Sequence, residues 1–219
     1  LNDTGITTCS NATTNNLPCP VSDFPNQDAQ SGRDATNNDD SDGHAGFSFT
    51  KISSTGANLS ASATSWNCVK DNVTGLIWEV KTTDGGLHDK TNTYSWYEPD
   101  TTKNGGNAGN QNGGICKGSK CATNAYVAAV NVVGYCGYKD WRMPTIQELT
   151  SIVDFSRTGP TININYFPNT QSNIYWSSTP YTRGVNDFAR GIYFNDGSSL
   201  IQKKDISVTY FNYYNMLVR

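Results

Sequence analysis

Six cysteines, at positions 9, 19, 68, 116, 121 and 136, sit in a 219-residue chain rich in Asn, Thr, Ser and Gly. Cysteine used this freely in a polar chain points to an oxidising compartment and to a disulfide framework. Cys9 and Cys19 flank a polar loop, and Cys116 and Cys121 flank Lys-Gly-Ser-Lys, a stretch that could close a small ring. Cys68 and Cys136 would then be the long-range pair. Six cysteines permit fifteen pairings, so spacing favours this set without fixing it. Zinc is the rival, but the chain has no C-x-x-C and only two histidines, His44 and His88.

The second strong feature is Gly134–Asp154, GYCGYKDWRMPTIQELTSIVD. Thr145 and Glu148 make a T-x-x-E capping box, in which hydroxyl and carboxylate each satisfy one free N–H of the first turn. Pro144 keeps the chain extended on entry. Ile146, Leu149, Ile152 and Val153 recur at helical spacing and give one apolar face. Ala122–Val133 reads as a second helix, stopped by Gly134.

The rest alternates or turns. Phe47–Ile52, Leu76–Val80, Ile174–Ser178 and Phe188–Phe194 read as strands, with Asn195-Asp196-Gly197 as a hairpin turn and Ser198–Gln202 returning. Thr161–Pro168 reads as extended and Tyr210–Arg219 as the final strand. Residues 81–118 form a long, glycine-punctuated polar excursion, of the kind that is functional or mobile. Two helices among many short strands indicate an α+β fold. An irregular arm, residues 1–65, packs on a ligand-binding domain, 66–219, as one structural unit. Trp78, Trp141 and Trp176 belong to the core, each indole N–H needing an acceptor. Asp140 and Arg142 flank Trp141 and make a local salt bridge or turn contacts.

Charged residues are 16% of the chain and the net charge is −3. No Lys/Arg cluster supports nucleic-acid binding, and no apolar run is long enough to span a bilayer. The chain starts at Leu1, consistent with a removed leader. Asp39, Asp40 and Asp42 before Gly43 form a candidate calcium loop, because closely spaced carboxylates suit a hard cation. It lacks the EF-hand pattern, and a solvated acidic turn is the simpler reading. Glu98-Pro99-Asp100 is only a faint match to a lectin sugar-binding tripeptide.

DNVTGLIWEVKT (71–82), GYCGYKDWRMPTIQELTSIVDFSR (134–157), INYFPNTQSNIYWSSTPY (164–181), ARGIYFNDG (189–197) and the terminal MLVR (216–219) together resemble the C-terminal domain family of the Legionella collagen-like adhesin. The resemblance implies a C-type-lectin-like fold, close to formylglycine-generating enzymes, with two helices packed on a twisted antiparallel sheet and stapled by disulfides. It implies a secreted or surface-displayed bacterial binding module, and no enzyme residues carry over. The adhesin itself is a trimer, but this chain lacks a collagen-like stalk, so a homotrimer stays open here. No cofactor is expected, with calcium as the alternative. Some relatives are variable proteins of diversity-generating retroelements. The family's sulfated glycan ligand is not carried over, because this chain is acidic.

The expected ligand is a protein or glycan on another surface. Its expected site is the C-terminal ribbons: Tyr181, Arg183, Asn186, Asp187, Tyr193, Asn195, Asp196, Tyr210, Asn212 and Tyr214. Tyr and Asn suit recognition, offering rigid apolar faces and paired donors and acceptors. Strand alternation points Phe211 and Tyr213 inward, and Asn212 and Tyr214 outward. The alternatives are a calcium-dependent carbohydrate binder and an oxidase-like enzyme with a reactive thiol.

Overall fold

The structure is a computed structural model that describes residues 2–205 and 212–219. The α+β expectation holds, with few helices, two sheets and three disulfides. The first sheet is antiparallel, in the order β1 (Phe49–Ile52), β2 (Cys68–Asp71), β3 (Ile77–Glu79). The second is mixed, in the order β6 (Ser198–Lys203), β5 (Phe188–Tyr193), β4 (Ile174–Tyr181), β7 (Tyr213–Tyr214). β7 pairs parallel with β4, so the last strand is not an antiparallel continuation.

The helices follow local chemistry. In α3 (Ile146–Thr150), Thr145 Oγ1 accepts Glu148 N–H at 3.2 Å and a Glu148 carboxylate oxygen accepts Thr145 N–H at 2.8 Å. The helix stops at Thr150, yet Ile146, Leu149, Ile152 and Val153 are all buried as their spacing predicts. α2 (Thr123–Val133) ends at Gly134, whose φ of 83° is one that glycine adopts freely. A short helix, α1 (Gly32–Thr36), lies in the N-terminal arm. That arm is not wholly irregular, because β1 comes from it and pairs with β2.

All three favoured cysteine pairs form: Cys9–Cys19, Cys68–Cys136 and Cys116–Cys121. Cys68–Cys136 spans 68 residues and joins β2 to the turn after α2. It lies in a cluster with Tyr126, Val130, Trp141 and Leu217. The main core joins Phe49, Val69 and Trp78 to Leu149, Tyr175 and Ile192, and so binds the first sheet to α3 and the second sheet. A third cluster gathers Trp96, Ile174, Trp176, Ala189 and Tyr213.

Some expectations change. Residues 161–168 are turn-rich, because Asn163 C=O accepts both Tyr166 and Phe167 N–H. Trp141 and Trp176 donate to Tyr135 and Tyr94 carbonyls, whereas the buried Trp78 indole has no acceptor among the described residues. Asp140 and Arg142 do not pair with each other. Asp140 takes Arg219, and Arg142 takes Glu148.

Glu79 centres a buried polar network. One carboxylate oxygen accepts Lys81 Nζ at 2.9 Å, His88 Nδ1 at 2.9 Å and the Tyr126 hydroxyl. The other accepts Leu217 N–H at 3.0 Å. Burial alone would raise this carboxyl, but Lys81 beside it and the His88 hydrogen bond bring it down to about 2. The network ties β3, α2, the loop at 88 and the C-terminal segment together.

Candidate binding groove

The residues that shape the concave end of the second sheet begin in the long polar loop. Asn104, Asn107 and Asn110 recur every three residues. Each side-chain oxygen accepts a backbone N–H two residues on, from Gly106, Gly109 and Asn112, at 2.9, 2.8 and 3.1 Å. These are consecutive Asx turns, which asparagine forms by imitating the backbone. Gly109 is required between them: its φ is 85°, and a Cβ there would lie 2.1 Å from the Trp96 carbonyl oxygen.

The amide nitrogens then reach outward. Asn104 Nδ2 donates to Glu98 C=O at 3.2 Å, Asn107 Nδ2 to Asp187 Oδ1 at 2.5 Å, and Asn110 Nδ2 to Asp205 Oδ1 at 3.1 Å. The three asparagines thus fold the loop, and Asn107 and Asn110 fasten it to one end of the β5–β6 hairpin, at Asp187 and Asp205.

Lys204 is the anchor beneath them. It is 1% exposed, and its ammonium donates to the carbonyls of Asn104, Asn107 and Asn186 at 2.7 Å each. The ammonium also lies 4.5 Å from the centre of the Trp96 ring. Burial pushes the Lys204 pKa down, while Asp187 acts the other way. Its backbone N–H meets Asp187 C=O at 2.8 Å. One cation therefore holds the 104–107 loop and the 182–187 turn in a single arrangement.

The result is a depression of about 630 Å³ lined by Asn107, Gly109, Asn110, Gln111, Asp187 and residues 203–205. Gln111 and Lys203 are exposed on its wall. It presents amides, carboxylates and one accessible ammonium, a surface that can match hydroxyls or peptide groups by hydrogen bonds. All six cysteines are disulfide-bonded, so none supplies a thiol.

The structure divides the sequence-predicted residues. Arg183, Asn186 and Asp187 are exposed in the turn after β4, and Tyr181 is half-buried with Arg190 over its ring. Asn195 and Asp196 are exposed but lie at the opposite end of β5, and Tyr193 beside them is half-buried. Asn212 is exposed, and Tyr210 lies outside the described residues. Tyr214 is not outward as alternation predicts: both Tyr213 and Tyr214 are buried. β7 is covered on two faces, so Tyr213 stacks on Trp176 and Tyr214 on Tyr175. Asn215 is buried as well.

The Asp39, Asp40 and Asp42 carboxylates do not converge. Asp39 caps Ser41, Asp40 takes His44 and Ala45 N–H, and Asp42 takes Ser48. Among the described residues, the acidic group whose oxygens come within 4.8 Å of one another is Asp3, Asp28 and Asp34. Asp34 there is already saturated by the N–H groups of Thr4, Gly5 and Gly46.

Asn107, Asn110, Gln111 and Lys203–Asp205 were not among the expected site residues. Their signal was the three-residue asparagine rhythm inside the glycine-rich loop.

Compared with known proteins, the chain matches the sequence profile of the Lcl C-terminal domain over residues 67–219. No curated protein matches it, and no solved structure does. A match over that much of the chain, with the two-sheet core and the Cys68–Cys136 staple inside it, makes this protein a member of the Lcl C-terminal domain family.

Proposed function

We propose that this chain is an extracellular adhesion module that holds a protein or glycan in the groove between the 104–111 loop and the β4–β6 ribbon. The observation that carries the reading is the buried Lys204 ammonium. It fixes two sequence-remote loops so that Asn107, Asn110, Gln111, Asp187 and Lys203 face one depression. A recognition surface gains affinity when its loops are ordered before the ligand arrives. The three disulfides and the adhesin-type family support an extracellular location. No helix among the described residues is long and apolar enough to cross a membrane. The lectin-like arrangement, and ligand retargeting by a diversity-generating retroelement acting on the exposed 182–187 turn, belong to the same reading.

The test is a combined glycan and protein array probed with the wild type, Gln111→Ala, Asp187→Ala and Asp196→Ala. The groove variants are expected to lose about tenfold or more in affinity, as central contacts do, with Asp196→Ala unchanged. Loss confined to Asp196→Ala would move the site to the opposite end of the sheet.

A further inference from the structure

Lys51, Lys81 and Lys204 are buried lysines whose ammoniums lie over aromatic rings. Two of them are satisfied. Lys81 pairs with Glu79, and Lys204 donates to three carbonyls. Lys51, on β1, is not. It is 6% exposed, and its ammonium donates to the carbonyls of Ala61 and Ala63 at 2.9 and 2.8 Å. An ammonium has three N–H donors, so one is left over, and among the described residues no carboxylate pairs with it. Burial pushes its pKa down.

The Lys51 ammonium lies 3.7 Å from the centre of the Trp66 ring. Trp66 is half-buried, whereas the other four tryptophans are at most 2% exposed. Its indole N–H donates to Tyr166 C=O at 2.9 Å, which fixes the ring. Trp66 lines two depressions of about 530 Å³ each. Asp40, Lys51, Ile164 and Asn165 line the first with it, and Asp84, Pro168 and Asn169 the second. Asp40 and Asp84 each use Oδ1 on groups of their own turns and keep Oδ2 as an acceptor. Asn169 Nδ2 donates to Lys81 C=O at 2.7 Å, which leaves its oxygen. The Asn165 amide is exposed and has no partner among the described residues.

We infer that Trp66 is the platform of a second binding site, for a neutral oligosaccharide, built where the N-terminal arm meets the domain. A sugar ring brings an apolar C–H face for the indole and hydroxyls that both donate and accept. Lys51 donates to such a ligand, Asp40 and Asp84 accept from it, and Asn165 does both. Two carboxylates against one free ammonium disfavour an acidic glycan. Two depressions that share one ring suit a chain of sugars rather than a single one. The site has no residue in common with the 104–111 groove and does not depend on what that groove binds. Asp40, Lys51 and Trp66 precede residue 67, where the family match begins, so the arm supplies half of the site.

An array of neutral and acidic oligosaccharides, probed with the intact chain, tests this. The double variant Gln111→Ala/Asp187→Ala, which impairs the groove, is expected to retain neutral glycans. In that background Trp66→Ala should lose about tenfold or more in affinity for them, and Asn165→Ala about three- to tenfold. The Asn165 side chain is exposed and holds nothing in place, so its variant keeps the fold and decides the matter if Trp66→Ala does not. Acrylamide quenching of the wild-type tryptophan fluorescence, which reports on Trp66, should fall when the tightest-held array glycan is added. A chain that holds no neutral glycan, that loses all of them in the double variant, or that binds them equally well after both site substitutions, would overturn the inference.

Discussion

A Lys204→Met chain keeps the length of the stem over Trp96 and loses the ammonium. Three carbonyls, at Asn104, Asn107 and Asn186, then lose a charged donor at 2.7 Å. Hydrogen bonds to charged groups contribute about 1.5–3 kcal/mol each, roughly 5–9 kcal/mol for three before any offset. The cost of keeping an ammonium out of water returns several kcal/mol of that, leaving a net loss of about 3–5 kcal/mol. For a chain of this size each kcal/mol moves the melting point by about 2–4 °C, so the expected fall is about 6–20 °C. Calorimetry measures that fall, and hydrogen exchange locates it. The amides of Gly106, Gly109 and Asn112, held in Asx turns, should exchange faster, while those of α2 keep their protection. Ligand affinity should drop with loop order. A melting point within about 3 °C of wild type, with unchanged exchange at those three amides, would refute the role assigned to Lys204.

Glu79 gives the acid limb of stability. Its carboxyl titrates near 2 when folded against an ordinary 4.5, so the unfolded chain binds more protons between those values. Stability should therefore be complete above about pH 5 and fall as pH drops toward 2. Glu79→Gln should flatten that segment of the curve. At pH 7 it should cost about 3–5 kcal/mol, because Lys81 keeps a buried charge without its counter-ion. An unchanged pH profile in the variant would place the acid sensitivity elsewhere. For the Asp3–Asp28–Asp34 group, where backbone N–H donors occupy Asp3 and Asp34 and the Thr4 hydroxyl donates to Asp28, a chelator should leave the melting point within about 1 °C; a drop of several degrees on adding EDTA would mean that a cation stabilises the arm.

Local chemistry was readable where neighbouring residues settle the matter among themselves. Thr145 and Glu148 cap a helix wherever it packs, Gly134 ends one, and Asn195–Gly197 turns a hairpin. The six cysteines pointed to a disulfide-stapled chain, and their spacing favoured the three bridges that form. Alternation failed at Tyr214 because it presumes one wet face. β7 has none, being paired beside β4 with Trp176 against one tyrosine and Tyr175 against the next.

The groove was half-legible for a related reason. The sequence by itself marked 81–118 as a long loop and the ribbon turns as polar. Only the tertiary structure decided that Asn107 meets Asp187, 80 residues away, and that Asn110 meets Asp205, 95 away. It also separated Asn195 and Asp196 from Arg183 and Asp187, since one strand length lies between the two turns of an antiparallel ribbon. Caps, turns and bridges depend on residues close in the chain, or on cysteines free to find each other. A binding surface depends on which remote segments a buried cation such as Lys204 draws to the same place.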